Sequence, residues 1–396
     1  MRIFYAADTS PNAYFQSNIW RNNLYEPLVD MGHDIVEFDY DLRETFRNLD
    51  PTKKRAFVNR NRPKLEKALI GQIKKAHAQE PIDLFFSYFY SACARPSTIK
   101  AIKSIGIITV NWYCNGAHQF HLIKELAPAY DWCLVPEKFR LEDYRRIGAN
   151  PIYCQEAANP TIYKPYDVPV EFNVTFVGQA YGERPEYIKY LLDCGIDVKV
   201  WGQGWEKYIK HQGMQRFKAS TSLKRISSLS KNFLTSSGWR KLGRRLRPLF
   251  TQRNEWKPSE QREEIVLPSH MLGGILTDEE MVQMYSRSKI NLGFSICGDT
   301  HKTGEPIKQV RLRDFEVPMS GGFYIVMYME ELESLYQIGK EIVCYTDKED
   351  LAEKIRYYLE NDEEREKIRR AGYFRCQKDH TWHKRFKDAF NEMGLC

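Results

Sequence analysis

"RLRDFEVPMSGGFYIV", residues 311–326, decides how this chain is read. Leu312, Phe315 and Met319 recur at helical spacing, which predicts a short helix with one face in a core. Gly321-Gly322 ends it, because glycine accepts the left-handed cap that other residues resist. "FYIVMYM" is too short and too rich in β-branched and aromatic residues for a second helix, and predicts a strand. Loop, helix and strand thus form one α/β unit, with Arg311, Arg313 and Glu316 near the helix start. Taken alone, those charges are a solvated face with a local ion pair.

The flanking sequence alternates in the same way, in two blocks. "RIFYAAD", "HDIVEFDYD", "DLFFSYF", "IITVNWYC", "YDWCLVP" and "PIYCQEAANP" predict the strands of the first block. Helices are predicted over "SNIWRNNLYEPLVDMG", "RPKLEKALIGQIKKAHAQ" and "PSTIKAIKSIG". The second block holds "FNVTFVGQ", "DVKVWGQG", "INLGFS", "FYIVMYM" and "EIVCYT". It also has a helix from Arg184 to Gly195, one capped by Thr277 with Glu280 at the capping-box position, and two C-terminal helices. Such apolar strands joined by helices predict parallel α/β sheets covered on both faces. Pro160 and the run from Pro165 to Pro169 mark the linker.

Composition narrows the class. A chain of 396 residues makes two domains of ordinary size. Its 42% hydrophobic and 13% aromatic content excludes a disordered chain. No apolar run reaches the roughly 20 residues that cross a bilayer. The start "MRIFYAAD" reads as a strand, not a secretory signal. Nine cysteines without a C-x-x-C pair read as reduced thiols, so a cytoplasmic location is expected. The net charge of +7 is uneven: residues 206–262 carry fifteen Lys/Arg against three acids, leaving the remainder mildly acidic. Within that segment "SSGWRKLGRRLRPLF" puts Trp239, Leu242, Leu246 and Leu249 on one stripe with Arg240, Arg244 and Arg247 opposite. Three readings are carried for residues 231–250: packing on the second block, peripheral contact with an anionic membrane or lipid-linked acceptor, and, last, nucleic acid.

Two glycine loops follow strands. "FVGQAYGERPEY" holds Gly178, Gly182 and Arg184, and "VWGQGW" holds Gly202 and Gly204. Small residues at a helix start let backbone N–H groups approach an anion, and an arginine can fork two of its oxygens. The other reading is a pair of tight turns.

"VTFVGQAYGERPEYIKYLLDCGIDVKVWGQGW", "EEMVQMYSRSKINLGFS", "VRLRDFEVPMSGGFYI" and "DHTWHKRFKDAF" occur in that order and together resemble the C-terminal domain of the CgeB-like, spore-maturation-type glycosyltransferases. "WRNNLYEPLVDMGHDIVEFD", "TVNWYCN" and "CQEAANP" are similar to the partner domain. The resemblance spans about four fifths of the chain and omits the basic segment. It implies a GT-B fold: two Rossmann-like domains with parallel sheets facing a cleft. Residues 1–165 would form the acceptor-side domain. Residues 170–375 would form the nucleotide-sugar domain, with the basic insertion about 206–262, and residues 376–396 a helix crossing back. The implied activity is hexosyltransferase-like, from a nucleotide-sugar donor (UDP- or GDP-linked) to a glycan, lipid-linked or protein acceptor. No tightly bound cofactor or metal is expected.

By the same resemblance Glu316 corresponds to the acid that binds the ribose hydroxyls. Lys308, Arg311 and Arg313, expected in the first turns of that helix, would meet the diphosphate together with Arg184. Related retaining enzymes carry a second glutamate eight positions earlier, where this chain has Lys308, with Glu305 out of register. For the catalytic base, relatives place acids near Asn115, which cannot serve. His118 and His121 are the candidates, since imidazole titrates near neutrality. Their spacing is also half a metal site, but no matching ligand set accompanies it. Asp8 and the loop after it are assigned to the acceptor side. Two other functions fit the same residues: a nucleotide-sugar epimerase of this fold, and a non-catalytic nucleotide-sugar or glycan-binding protein.

Overall fold

The computed structural model describes residues 1–7, 18–209 and 265–395. Asp8 and the basic stretch 231–250 therefore lie outside the described residues. Two compact units result: Met1–Lys207 with His270–Cys396, and Tyr208–Ser269. Of the second, the described part pairs Ile209 with Leu267 in a short parallel bridge.

The larger unit contains two all-parallel sheets. The first is built by β1 (Arg2–Ala6), β2 (Asp34–Glu37), β3 (Leu84–Ser87), β4 (Ile108–Trp112), β5 (Trp132–Val135) and β6 (Pro151–Tyr153). Its order is β2-β1-β3-β4-β5-β6. The connecting helices are α1 (Glu26–Asp30, entered by a π-turn), α2 (Arg43–Arg47), α3 (Arg55–Gln79), α4 (Pro96–Lys103), α5 (Gly116–Gln119) and α6 (Leu141–Arg146). The second sheet uses β7 (Phe172–Val177), β8 (Val198–Trp201), β9 (Ser288–Gly293), β10 (Tyr324–Met327) and β11 (Val343–Tyr345). Its order is β11-β10-β9-β7-β8. Around it lie α7 (Arg184–Asp193), α8 (Asp278–Ser286) and α9 (Arg313–Met319). After β11 come three helices, where the sequence predicts two: α10 (Lys348–Glu360), α11 (Asp362–Asp379) and α12 (Trp382–Glu392).

Local chemistry explains these boundaries. Thr277 accepts a hydrogen bond from the Glu280 N–H while the Glu280 carboxylate accepts one from the Thr277 N–H, closing the capping box of α8. The central strands β3 and β10 are buried along their whole length, as expected of strands covered on both faces. In α12, Trp382, Phe386, Ala389 and Phe390 recur at helical spacing and join the core of the first sheet. The Trp382 indole N–H donates to Asn23 Oδ1 at 3.0 Å, so α12 is anchored on the π-turn that enters α1. Each such buried aromatic contributes on the order of 2–3 kcal/mol. Among the described residues no helix is long and apolar enough to cross a membrane.

Candidate functional site

Each sheet reverses its strand order between its first and third strands, β1/β3 and β7/β9. At such a reversal the adjacent connections leave in opposite directions and open a crevice beyond the carboxyl ends of the strands. In the second sheet that crevice is filled by arginines. Arg313 Nε donates to Val177 O at the end of β7 (3.1 Å). Arg184 Nη1 donates to Gln179 O (3.0 Å), and Arg311 Nη2 to Ile296 O beyond β9 (3.1 Å). Carbonyls at the strand ends thus hold three guanidinium groups close enough to raise one another's electrostatic cost. Burial first, then Arg311 and Arg313, pushes Arg184 down to about 10, although the Tyr181 ring stacks 3.9 Å from it. Burial acts on Arg311 and Arg313 too, but Tyr181 and neighbouring acids hold Arg311, and Tyr285 and Glu316 hold Arg313, above the ordinary value.

The opening stretch folds somewhat differently from its expectation. The helix begins at Arg313, so Lys308 and Arg311 precede it. The short helix has no side-chain N-cap; instead Asp314 accepts from the Arg311 N–H (2.8 Å) and from the Tyr324 hydroxyl (2.7 Å). That fixes the turn that aims Arg311 inward. Lys308 donates to Tyr328 O (2.8 Å) and favours the charged form of Glu183. Gly321 ends the helix at φ 69°, and β10 follows. Glu316 is completely buried and pairs with Arg313 at 2.5 Å. Burial raises its pKa, opposed by Arg313 and by the Tyr163 hydroxyl.

The glycine loops serve each other's close approach. A Cβ at Gly202 would lie 2.4 Å from Gly178 O, and one at Gly182 would lie 2.6 Å from Gly298 O. These glycines let the loops after β7, β8 and β9 nest together. Beside them a cavity of about 550 Å³ opens at the ends of β7 and β8, lined by Gln179, Tyr181, Gly202, Gly204 and Trp205.

From the first sheet, β4 delivers α5 and His118. Burial, then Arg311 and His121, lowers the His118 pKa. His121 sits apart, half-exposed, with Nε2 3.9 Å from Asp50. Sequence reasoning missed three acids. Glu137 follows β5, and its Oε1 accepts the Ala117 N–H at 3.1 Å. Burial pushes it to about 7. Glu156 follows β6; burial raises it well above the ordinary range, against the pull of Arg311. Burial and Glu186 push Glu183, at the start of α7, to about 7. For Glu137 and Glu156 the signal was an acid two or three residues beyond an apolar strand, as in "LVPEK" and "IYCQE". Among the described residues, buried side-chain polar atoms without a hydrogen-bond partner occur on His118, Glu137, Glu156, Glu183, Arg184, Arg311 and Glu316. Such atoms are costly unless something satisfies them, and here they converge. No group of three or more metal-ligating side chains occurs among the described residues.

Residues 184–391, more than half of the chain, match the family described as glycosyl transferase-like. The chain belongs to that family. This glycosyltransferase also has the two-sheet GT-B fold of solved structures at low sequence identity. HepE of Anabaena, crystallised with UDP-glucose, is similar at 11% identity and a TM-score of 0.57, over 100% of this chain and 99% of that one. Sucrose-phosphate synthase of Thermosynechococcus elongatus is similar at 12% identity and a TM-score of 0.56, over 99% of each chain. A glycosyltransferase of Rickettsia africae is similar at 11% identity and a TM-score of 0.52, over 98% and 97%. No curated protein matches the chain.

Proposed function

We propose that this glycosyltransferase moves a sugar from a UDP- or GDP-linked donor to a hydroxyl of a glycan, lipid-linked or protein acceptor, as a CgeB-like enzyme of the cytoplasm. The observation that carries the reading is the convergence of Arg184, Arg311 and Arg313 at the β7/β9 reversal, with Nε of Arg184 and Arg311 unpartnered. As the bond from sugar to diphosphate breaks, negative charge grows on the departing diphosphate. Guanidinium groups fixed in advance stabilise that charge without reorganising, and the positive end of α7 adds to them. In this scheme the arginines, not a metal, neutralise the leaving group. The base occupies the cavity beside Tyr181 and Trp205. Glu316 accepts ribose hydroxyls through Oε1, the oxygen that Arg313 leaves unbonded.

His118 is the proposed base toward the acceptor. With its pKa held below the ordinary value, its imidazole is neutral near pH 7 and able to take a proton. Glu156, whose protonated form burial favours against the pull of Arg311, is the second group placed to hold a proton there. His121, with its ring on the Asp50 side, takes no part in this scheme.

The test is donor-dependent release of nucleoside diphosphate, stimulated by added acceptor, after a thermal-shift panel selects the nucleotide. Arg184→Ala is expected to lower kcat by about 10²–10³, the scale for removing a donor to developing charge, with a smaller change in KM. Unchanged turnover in both Arg184→Ala and Arg311→Ala would overturn the diphosphate site. Donor breakdown that ignores every acceptor while the donor sugar is epimerised would overturn transfer itself.

A further inference from the structure

Helix α3 connects β2 to β3 and is the longest described helix, 25 residues. Its inward face, Leu65, Leu69, Ile73 and Ala76, packs in the core of the first sheet. At 100° per residue the opposite face is occupied by Arg60, Lys64, Lys67, Gly71, Lys74 and Lys75, all exposed. Lys53, in the turn just before the helix, is exposed as well. No acid interrupts that face of the helix. The helix's single acidic residue, Glu66, is turned inward and buried, where it takes up Arg95. Among the described residues, Arg60, Lys64, Lys67, Lys74 and Lys75 have no ion-pair partner, and only Lys53 has one, Asp50 at 3.4 Å. Within the helix the result is a row of like charge about 22 Å long, from Arg60 to Lys75 at 1.5 Å per residue. Like charges at i,i+3 and i,i+4 spacing destabilise a helix, so nothing in the helix itself rewards this arrangement.

We propose that this row is a docking surface for an anionic phospholipid bilayer. Three features select that partner. The charges share one narrow arc of a rod, so all can touch a plane at once. Lysine dominates, and its compact hydrated charge suits a diffuse anionic surface, whereas recognition of individual phosphates favours the arginine fork. The row also leads to the substrate side of the fold. Arg2, at the start of β1, donates to the Ala76 and Glu80 carbonyls, so the helix's carboxyl end lies at the strand starts. Its amino end lies where the strands finish: Asp50 is 3.9 Å from His121, beyond β4. A bilayer along the row therefore brings the crevice edge of the first sheet to the lipid surface. An acceptor carried by a lipid would be met there.

The test is co-sedimentation of the full chain with phosphatidylcholine vesicles, with and without phosphatidylglycerol, at low and high salt. Wild type is expected to bind only the anionic vesicles and to be released by salt. Replacing Lys64, Lys67 and Lys74 by glutamate is expected to weaken binding about a hundredfold or more, and by alanine less, at an unchanged melting temperature. The same reversal at Arg240, Arg244 and Arg247 is expected to leave most of the binding in place. Absence of binding to anionic vesicles overturns the proposal. So does binding lost only with the second set of substitutions, or a duplex oligonucleotide held more tightly than the vesicles. Nucleoside diphosphate release on a soluble acceptor is expected to be unaffected, which separates this inference from the catalytic reading.

Discussion

Glu316→Gln tests whether one side chain is at once a structural ion-pair partner and a ligand for the donor. From sequence alone the substitution reads as a change to a binding group that spares the fold. The structure changes that expectation, because Glu316 is completely buried and its Oε2 meets Arg313 at 2.5 Å. Removing one partner of a buried pair costs about 3–5 kcal/mol, since the other charge is left uncompensated. Here the Arg313 side chain is 32% exposed and keeps Val177 O as an acceptor, which lowers the expected loss to about 2–3 kcal/mol. At about 2–4 °C per kcal/mol for a cooperative unit of this size, the melting temperature should fall by roughly 4–12 °C. The double variant Arg313→Met with Glu316→Gln should recover much of that loss, because neither charge then remains buried alone. Calorimetry with the selected nucleoside diphosphate reads the second role. Loss of charge-assisted bonds to the ribose, worth about 1.5–3 kcal/mol, weakens binding by roughly 10–150-fold. Glu316→Gln protein melting with wild type would refute the energetics, and an unchanged Kd would refute the ribose contact.

Two other outcomes are expected. Burial holds Glu137 at about 7 against an ordinary 4.5, so between those values the folded state binds the proton that the unfolded state has released. Stability then declines as pH rises from about 4.5 to 7; Glu137→Gln should gain on the order of 3 kcal/mol over wild type at pH 8 and little at pH 4, read by denaturant titration, and equal gains at both would disprove the assignment. Gly202→Ala should cost about 3 kcal/mol or more, since φ is 126° and the new Cβ would press on the Gly178 carbonyl. Gly204→Ala, whose nearest neighbour is 3.3 Å away, should cost less, and equal losses would contradict the close-approach argument.

The sequence by itself determined the order of strands and helices, because hydrophobic period and punctuation are local properties. Thr277 with Glu280, Gly321, and the apolar strands "DLFFSYF" and "FYIVMYM" each announce their element without help from distant residues. The resemblance in "VRLRDFEVPMSGGFYI" carried the reading from there to a glycosyltransferase. The start of α9 was misread because the turn before it is fixed by Asp314 and Tyr324, ten residues apart and on different elements. Glu137, Glu156 and Glu183 were missed for a related reason: an acid after a strand or at a helix start is ordinary until burial raises its pKa, and burial belongs to the packed whole. The glycines were read either as a cradle for an anion or as tight turns; sequence could not show that a Cβ at Gly202 would meet the Gly178 carbonyl, because that approach joins two loops 24 residues apart. Likewise no local pattern brings Arg184 beside Arg311 and Arg313. Only the parallel pairing of β7 with β9, which sets the two strand ends side by side, puts three like charges where an anion would be welcome.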